Sequence, residues 1–184
     1  RRSLFPGKRA MDTGHLSSIF SRRLGVEGVQ LFLSSEWASQ RDGHRQMLRN
    51  AIGEYLSASG TETSAESKSV TDLAVLPEAE GHSLSISHCK RAGGFVVAPR
   101  CNFVGFDLEI NRRLDGVRLG LVSVDEHELQ AAPTPAAFWT AKEAAFKCIR
   151  GPAQPRGLKD IRVAGWKEEA AGIYRYQVIE VDNQ

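Results

Sequence analysis

Cysteine is scarce in this sequence, which has Cys89, Cys101 and Cys148 among its 184 residues. An odd number of cysteines with no C-x-x-C pair argues against a disulfide framework and against a structural zinc site. This usage is typical of reducing compartments, where thiols are kept reduced. We therefore expect a cytoplasmic protein.

Long apolar runs are also missing, and no stretch approaches the roughly 20 residues that a membrane-spanning helix needs. The sequence has no fixed-period repeat, and it lacks the aromatic-interleaved basic surface that is typical of nucleic-acid binders. We accordingly expect neither a membrane nor a nucleic acid among its partners. With 41% hydrophobic and 25% charged residues, the composition is that of a globular protein with a real core.

An excess of charge of one sign is confined to the first part of the chain. The whole sequence has a net charge of only +2. Residues 1–25 contain several lysines and arginines against the single acid Asp12, so the rest of the chain is weakly acidic. A solvated basic arm is the simplest interpretation of this segment, and a transit peptide or a phosphate-binding edge are the alternatives.

Strands and helices are both predicted, so the expected fold class is α+β. Short apolar or alternating runs predict strands at residues 26–33, 82–88, 95–98, 102–110, 160–166 and 172–181. Apolar residues spaced by three and four predict helices at residues 36–58, 121–131 and 135–149. Residues 60–82 are polar and without periodicity, which predicts a loop.

Turn and capping residues mark the ends of these elements. The pair Gly93-Gly94 predicts the turn of a hairpin. The spacing Ser123-x-x-Glu126 is that of a capping box, which predicts that a helix starts there. Thr134 is the expected N-cap of the last helix, because a proline follows at the first helical position.

Asp107 and Glu109 stand out in the predicted strand at residues 102–110. Residues two apart on a strand point to the same face, so the two carboxylates should lie side by side, with Phe106 and Leu108 facing the core. At about 4 Å their repulsion is roughly 1 kcal/mol in water and nearer 4 kcal/mol in a partly buried site. A divalent cation such as Mg²⁺ would relieve it, since Mg²⁺ prefers oxygen ligands. A solvated strand edge is the simpler alternative.

The predicted helix FWTAKEAAFKCI, residues 138–149, carries a second set of charges. At 100° per residue its expected core stripe consists of Phe138, Ala141, Ala145, Cys148 and Ile149. Glu143 and Lys147 lie one turn apart on the opposite edge, a spacing that most often makes a surface ion pair. Trp139 is expected beside Glu143 and partly buried.

His88 ends the predicted strand at residues 82–88, just before Lys90 and Arg91. Three such side chains near a strand end are suited to holding phosphate groups. Cys89 next to His88 suggests a thiol nucleophile. Neighbours on a strand face opposite sides, however, so these two side chains are not expected to act as nucleophile and base.

Together these segments resemble the 4′-phosphopantetheinyl transferase superfamily. The chain order S-x-S-H, G-x-D-x-E and W-x-x-K-E-A-x-x-K is matched here by residues 85–88, 105–109 and 139–147. The combination is specific although no single motif is, and the strong likeness covers about residues 83–151. RDGHRQML at residues 41–48 extends the likeness towards the longer, surfactin-synthetase-activating type.

The longer type implies an α+β fold of two similar α/β lobes, which form a pseudo-dimer within a monomeric chain. We expect residues 1–100 to form the N-terminal lobe, with the basic arm and the coenzyme A-binding side. Residues 101–184 are expected to form the C-terminal lobe with the metal site. The short acyl-carrier-protein synthase type is trimeric and carries its D-x-E motif near the N-terminus, whereas the motif here lies in mid-chain.

The resemblance also implies a reaction, the holo-[acyl-carrier-protein] synthase reaction that serves fatty acid biosynthesis and related pathways. The phosphopantetheine arm of coenzyme A would be transferred to a serine of an acyl or peptidyl carrier protein, with release of 3′,5′-ADP. Asp107, Glu109 and Glu143 would bind Mg²⁺, or alternatively Mn²⁺. Glu143 would also serve as general base, and Lys147 would stabilise the phosphoryl charge or the leaving group.

Coenzyme A, the co-substrate, is expected to contact the N-terminal lobe. The resemblance assigns its phosphates to Ser87 and His88, and it places Arg45 where the first half approaches the nucleotide. Many relatives of the longer type carry a G-K-P loop before the S-x-S-H strand. Residues 66–77 contain Lys68 without that tripeptide, so contacts from this loop are not carried over.

Two other function classes fit parts of the pattern. A metal-dependent nuclease of the D…E-x-K kind needs a lysine two residues after the strand acid, where Asn111 stands. A non-catalytic module that binds coenzyme A or a carrier protein would have a degenerate site, whereas all three acids and Lys147 are present. Both classes remain as alternatives to the transferase.

Overall fold

The structure is a computed structural model, and the residues it describes are 28–40, 42–58, 82–99, 103–110, 114, 116–149 and 154–181. They form a mixed α+β structure, as the sequence predicts. The basic arm and nearly all of the predicted loop at residues 60–82 lie outside them. The chain divides into two compact units, residues 1–104 and 105–184, which are described in turn.

In its described residues, the first unit contains an antiparallel sheet with an α-helix against it. Its described strands are β1 (Gln30–Ser34), β2 (His82–His88) and β3 (Gly93–Pro99), in the order β1-β3-β2. The helix is α1 (His44–Ala58). Its periodic apolar face meets the central strand in a buried cluster of Trp37, Leu48, Ala51, Ile52, Tyr55, Leu56, Leu84, Phe95 and Val97.

The helix predicted at residues 36–58 begins later than expected. A 3-10 turn at Ser35–Trp37 comes first, and the side chain of Ser34 caps it by accepting a hydrogen bond from the backbone N–H of Glu36 at 3.2 Å. Gly43 then adopts a left-handed φ of 68°, and α1 follows directly. An α-helix cannot pass through that conformation, so the spacing of apolar residues across it was misleading.

The turn predicted at Gly93-Gly94 is also placed differently. The chain reverses at residues 89–92, where the backbone N–H of Cys89 donates to Ala92 O at 2.8 Å, and Gly93 is already the first residue of β3. A Cβ atom on Gly93 would overlap the backbone of Trp37. The glycine is required by this close approach of two backbones and not by the turn.

In its described residues, the second unit packs α-helices against a β-hairpin. Its elements are α2 (Gly116–Val122), α3 (Glu126–Ala131), α4 (Pro135–Cys148), β4 (Ile161–Ala170) and β5 (Ile173–Val181), with β4 and β5 antiparallel. Its buried cluster consists of Leu119, Phe138, Ala141, Ala145, Ile161 and Val163. Three of these residues belong to the stripe predicted for α4, whereas Cys148 is only partly buried.

The single helix predicted at residues 121–131 is in fact two helices. Asp125 caps α3, since its carboxylate accepts a hydrogen bond from the backbone N–H of Glu128 at 2.9 Å. Ser123 is not the N-cap, because its hydroxyl donates to the backbone oxygen of Asp125 instead. The expected start of α4 is confirmed: Thr134 accepts from the N–H of Ala137 at 3.0 Å, and Pro135 is the first helical residue.

The described helices were compared with the length and apolar character that a membrane span requires. In the part of the chain that the structure describes, no helix is both long and apolar enough to cross a bilayer.

Candidate functional site

The acidic segment of the second unit is not a strand. Residues 103–110, predicted to lie in a sheet, belong to no helix or strand of the described residues. Phe106 and Leu108 are partly buried rather than core residues. Alternation of apolar and charged residues fits an extended chain, but a strand also needs a neighbour to pair with, and this requirement is not local.

Gly105 allows this segment to lie against the last helix. A Cβ atom built on Gly105 would overlap the carbonyl oxygen of Ala144 and crowd the backbone N–H of Cys148, both on α4. The glycine of the G-x-D-x-E motif is therefore explained by a direct approach of the segment to the helix backbone. This approach sets how close the following acids lie to α4.

Asp107 and Lys147 form the central contact of the site. The ammonium nitrogen Nζ of Lys147 lies 2.7 Å from Oδ1 of Asp107 and also donates to the backbone oxygen of Phe106 at 3.3 Å. The Asp107 side chain is only 8% exposed and that of Lys147 is 29% exposed. Lys147 thus makes a partly buried, charge-assisted contact with the acidic segment, and it also attracts Glu143 within its own helix.

Glu143 lies one turn before Lys147 on α4 and interacts electrostatically with Asp107 and Glu109. Partial burial raises the pKa of Glu143 above its ordinary value, because a carboxylate is less well solvated there. The ammonium of Lys147 works in the opposite direction, and the negative charges of Asp107 and Glu109 raise the pKa further. These influences show that the structure brings the three acids and the lysine into one electrostatic neighbourhood.

Tyr176 on β5 is a neighbour that the sequence did not single out. Its hydroxyl donates to the backbone oxygen of Ala141 at 3.3 Å, and its ring packs on Trp166 with centroids 5.1 Å apart. Burial raises the pKa of Tyr176 to about 12, with smaller contributions from Cys148 and Asp107. The local sequence around Tyr176 does not predict this burial. It depends on the contact between β5 and α4, which the tyrosine makes through Ala141.

A second residue missed by the sequence is Lys142, whose place in the motif had no assigned role. Its side chain is completely buried on α4, and its ammonium lies 2.7 Å from the carboxylate of Glu128 on α3. Periodicity assigns position 142 to the edge of the helix, and lysines are rarely fully buried unless they are paired. The pairing acid is fourteen residues away, beyond a loop, so no local pattern reveals it.

The residues assigned to coenzyme A lie in the first unit. His88, at the end of β2, packs edge-on against the ring of His44, with centroids 4.9 Å apart and an interplanar angle of 80°. This contact brings the first turn of α1 to the end of β2, and exposed Arg45 follows His44 directly. Ser87 is only 7% exposed, within the sheet, so His88 is the more accessible of the two S-x-S-H residues.

The donor chemistry of the acids fits a hard divalent cation. All three candidate ligands are carboxylates, the preferred donors of Mg²⁺, and they share a partly buried setting. Within the described ranges, no three His, Cys, Asp or Glu side chains are arranged as a preformed metal-binding group. Mg²⁺ is commonly held by one or two carboxylates together with substrate phosphates and water. The residues therefore fit a cation shared with a substrate better than a closed protein cage.

Neither a protein-family model nor a curated protein sequence matches the chain. The case for a function consequently depends on the three motifs and on the geometry of the second unit.

Proposed function

We propose that this protein is a 4′-phosphopantetheinyl transferase of the longer, two-lobed type. The observation that carries the proposal is the meeting of Asp107 with Lys147, beside Glu143, in the second unit. These residues come from two of the three motifs on which the resemblance depends. Their proximity supports the shared role that the resemblance implies for them.

The reaction is a phosphoryl transfer from coenzyme A to a carrier-protein serine. The serine oxygen forms a bond to the phosphorus that carries the pantetheine arm, and the bond from that phosphorus to 3′,5′-ADP breaks. Glu143 takes the proton from the serine hydroxyl, directly or through a water molecule. An ionised carboxylate within reach of the serine hydroxyl, directly or through one water molecule, can accept this proton.

Lys147 and Asp107 complete the local chemistry. In phosphoryl transfer the protein mainly positions the reacting groups and neutralises the negative charge on the phosphoryl group. The Lys147 ammonium supplies positive charge to the phosphoryl group or to the departing nucleotide, and Asp107 holds this ammonium in place. Mg²⁺, which Asp107, Glu109 and Glu143 would hold, supplies further charge neutralisation on the pyrophosphate when bound.

The first unit would supply the contacts to coenzyme A. Ser87, His88 and Arg45 are assigned to this role by the resemblance, and the contact between His44 and His88 supports a common location for the last two. In the described residues, each unit packs at least one α-helix against antiparallel strands, which supports the pseudo-dimeric fold proposed for the chain. We propose a cytoplasmic monomer whose macromolecular partner is an acyl or peptidyl carrier protein.

The proposal is tested by transfer to purified carrier proteins. The enzyme is incubated with coenzyme A and Mg²⁺ and with one carrier each from fatty-acid, polyketide and peptide synthesis, and each carrier is weighed by intact-protein mass spectrometry. We expect one carrier class to gain the mass of phosphopantetheine, and a carrier with its acceptor serine changed to alanine to gain nothing.

Two results would move the assignment elsewhere. Calorimetric binding of coenzyme A with no mass gain on any carrier would favour the non-catalytic binding module. Metal-dependent cleavage of plasmid DNA, with no transfer, would favour the nuclease class.

A further inference from the structure

Lys142 is a charged side chain with no direct place in the proposed chemistry. It is 0% exposed, on the helix that carries Glu143 and Lys147. Burial lowers the pKa of Lys142, and the neighbouring carboxylate of Glu128 works in the opposite direction. A buried ammonium group is tolerated only where hydrogen-bond acceptors surround it. The acceptors of Lys142 therefore indicate which elements it connects.

The ammonium of Lys142 is well supplied with acceptors. Its Nζ atom lies 2.7 Å from Oε1 and 2.9 Å from Oε2 of Glu128. It also donates to the backbone oxygens of Ile161, at the start of β4, and of Leu158 just before it, the latter at 3.4 Å. One side chain on α4 thereby contacts both α3 and the entry to β4.

The carboxylate of Glu128 is equally well satisfied. Besides Lys142, it accepts hydrogen bonds from the backbone N–H groups of Val124 and Val163, each at 2.7 Å. The first of these groups precedes α3 and the second lies in β4. The Lys142–Glu128 pair thus joins α3, α4 and β4 by hydrogen bonds, and Arg162 on β4 adds a second link to α3 by donating to its N-cap Asp125 at 2.8 Å.

Fixing one residue of a helix fixes the directions of its neighbours. Successive side chains are 100° apart around the axis, so the setting of Lys142 determines where Glu143 and Lys147 point. The same helix approaches Asp107 closely, with 2.7 Å between Lys147 Nζ and Asp107 Oδ1. A small rotation or shift of α4 would separate these atoms.

Stability alone is a weak explanation for such a pair. The desolvation free energy of two buried charges offsets much of their electrostatic attraction. Replacing such a pair by apolar residues is often neutral or stabilising. A buried pair is better suited to select one arrangement of the elements that it joins.

We propose that the Lys142–Glu128 pair is a positioning device that holds α4 in the setting in which Glu143 and Lys147 face Asp107. Lys142 takes no part in proton or phosphoryl transfer. The effect on turnover rests on the proposed transferase function, whereas the effect on the geometry of α4 does not.

The principal test uses Lys142→Met, which keeps most of the side-chain length and removes the charge. Lys159→Met, at an exposed lysine of the same unit, is the matched control. Crystal structures give the distance between Lys147 and Asp107, and kinetics per folded molecule give kcat and KM for coenzyme A. We expect the distance to exceed about 4 Å and kcat to fall at least about tenfold, since misplacement by about 1 Å can cost roughly 100-fold. KM for coenzyme A should change less than kcat, because the expected contacts of Ser87, His88 and Arg45 with coenzyme A are left in place.

Glu128→Asp is the second variant, for use if Lys142→Met does not fold. It keeps the charge but shortens the acid by one methylene, so the same lengthened contact and the same loss of kcat are expected. A folded variant that keeps the Lys147–Asp107 contact overturns the proposal, and so does a broken contact with unchanged kcat. If the wild-type protein modifies no carrier, the transferase function fails, but the distance measured in the variants still decides the positioning role.

Discussion

Lys147 donates to Asp107 at 2.7 Å although forty residues separate them in the chain. The lysine belongs to α4 and the acid to an irregular segment that Gly105 allows against that helix. Such a contact joins the G-x-D-x-E motif to the K-E-A-x-x-K motif in space. It is the physical basis on which the two motifs can be treated as one site.

Removal of the Asp107 charge should stop catalysis without unfolding the protein. In Asp107→Asn the neutral amide attracts the Lys147 ammonium less strongly and binds a cation poorly, so we expect transfer to fall by at least about 100-fold. Circular dichroism should remain that of the wild type. Glu126→Gln, at an exposed acid of α3, is the control and should transfer normally. Wild-type rates in Asp107→Asn would remove Asp107 from the site.

Glu143→Gln should make the protein more stable at neutral pH. The folded-state pKa of Glu143 is raised, so protonation favours folding, and the benefit is lost as the pH rises through the raised pKa. At pH 7 the wild type carries a poorly solvated charge that glutamine lacks, and a gain of about 0.5–2 kcal/mol in unfolding free energy is typical of such changes. Below about pH 4 the acid is protonated in both states, and the gain should vanish.

Urea unfolding of wild type and Glu143→Gln at pH 4 and pH 7 measures this difference. The same variant should lose most of its transfer activity, as expected for a residue that trades stability for function. A variant that is less stable than the wild type at pH 7 would contradict the described electrostatics of Glu143.

Gly105→Ala should reduce transfer activity strongly, although it adds only one methyl group. The added methyl group would overlap the carbonyl oxygen of Ala144, so the acidic segment must move away from α4 and carry Asp107 with it. We expect transfer to fall about tenfold or more, as misplacement of a reacting group would cause. Kinetics on the purified variant, with the folded fraction checked by circular dichroism, measure the effect.

Gly120→Ala is the matched control for this substitution. Gly120 lies in α2 with open space where its Cβ atom would stand, so alanine should stabilise the helix by about 0.5–1 kcal/mol. Equal losses of activity in both glycine variants would show that the close approach at Gly105 has no special importance.

Thr134→Ala tests whether the start of α4 depends on its cap. The threonine hydroxyl accepts a hydrogen bond from the N–H of Ala137 at 3.0 Å, and loss of an N-cap typically costs about 1 kcal/mol. Chemical denaturation should show a lowered midpoint, and Thr134→Ser, which retains the hydroxyl, should recover most of the stability. An unchanged midpoint for the alanine variant would argue against the described cap.

Cys89→Ser should leave transfer nearly unchanged. Cys89 is a free thiol in the turn after β2, where its backbone N–H donates to Ala92 O and its backbone oxygen accepts from the N–H of Ser39, each at 2.8 Å. Serine is close to it in size and forms the same backbone contacts. A folded but inactive Cys89→Ser variant would require a thiol mechanism in place of the one proposed.

Elements that depend on local signals could be predicted from the sequence. The strand β2 follows from alternation, and α4 follows from Thr134, Pro135 and an apolar face, all within one stretch of chain. Local signals of this kind act through backbone propensity and capping, which need no distant partner. The acids Asp107, Glu109 and Glu143 became candidate ligands through the combination of three motifs on which the resemblance depends, and not through any single local signal.

Features that depend on distant partners could not be predicted. Gly93 has the same local signature whether it makes a turn or lets the backbone of Trp37 approach. The segment at residues 103–110 alternates like a strand, yet its placement is set by contact with α4. The burial of Lys142 depends on Glu128, which no periodicity connects to it. In each of these three places a tertiary contact determines the structure, and the local sequence pattern predicts a different one.

The central claim is that acids from two separate segments bind one cation at the proposed site. Electron paramagnetic resonance titration of Mn²⁺ in the presence of coenzyme A measures this binding without any catalytic turnover. We predict one site in the wild type, with affinity weakened at least about tenfold in Asp107→Asn and also in Glu143→Gln. Equal Mn²⁺ affinity in all three proteins would contradict the account.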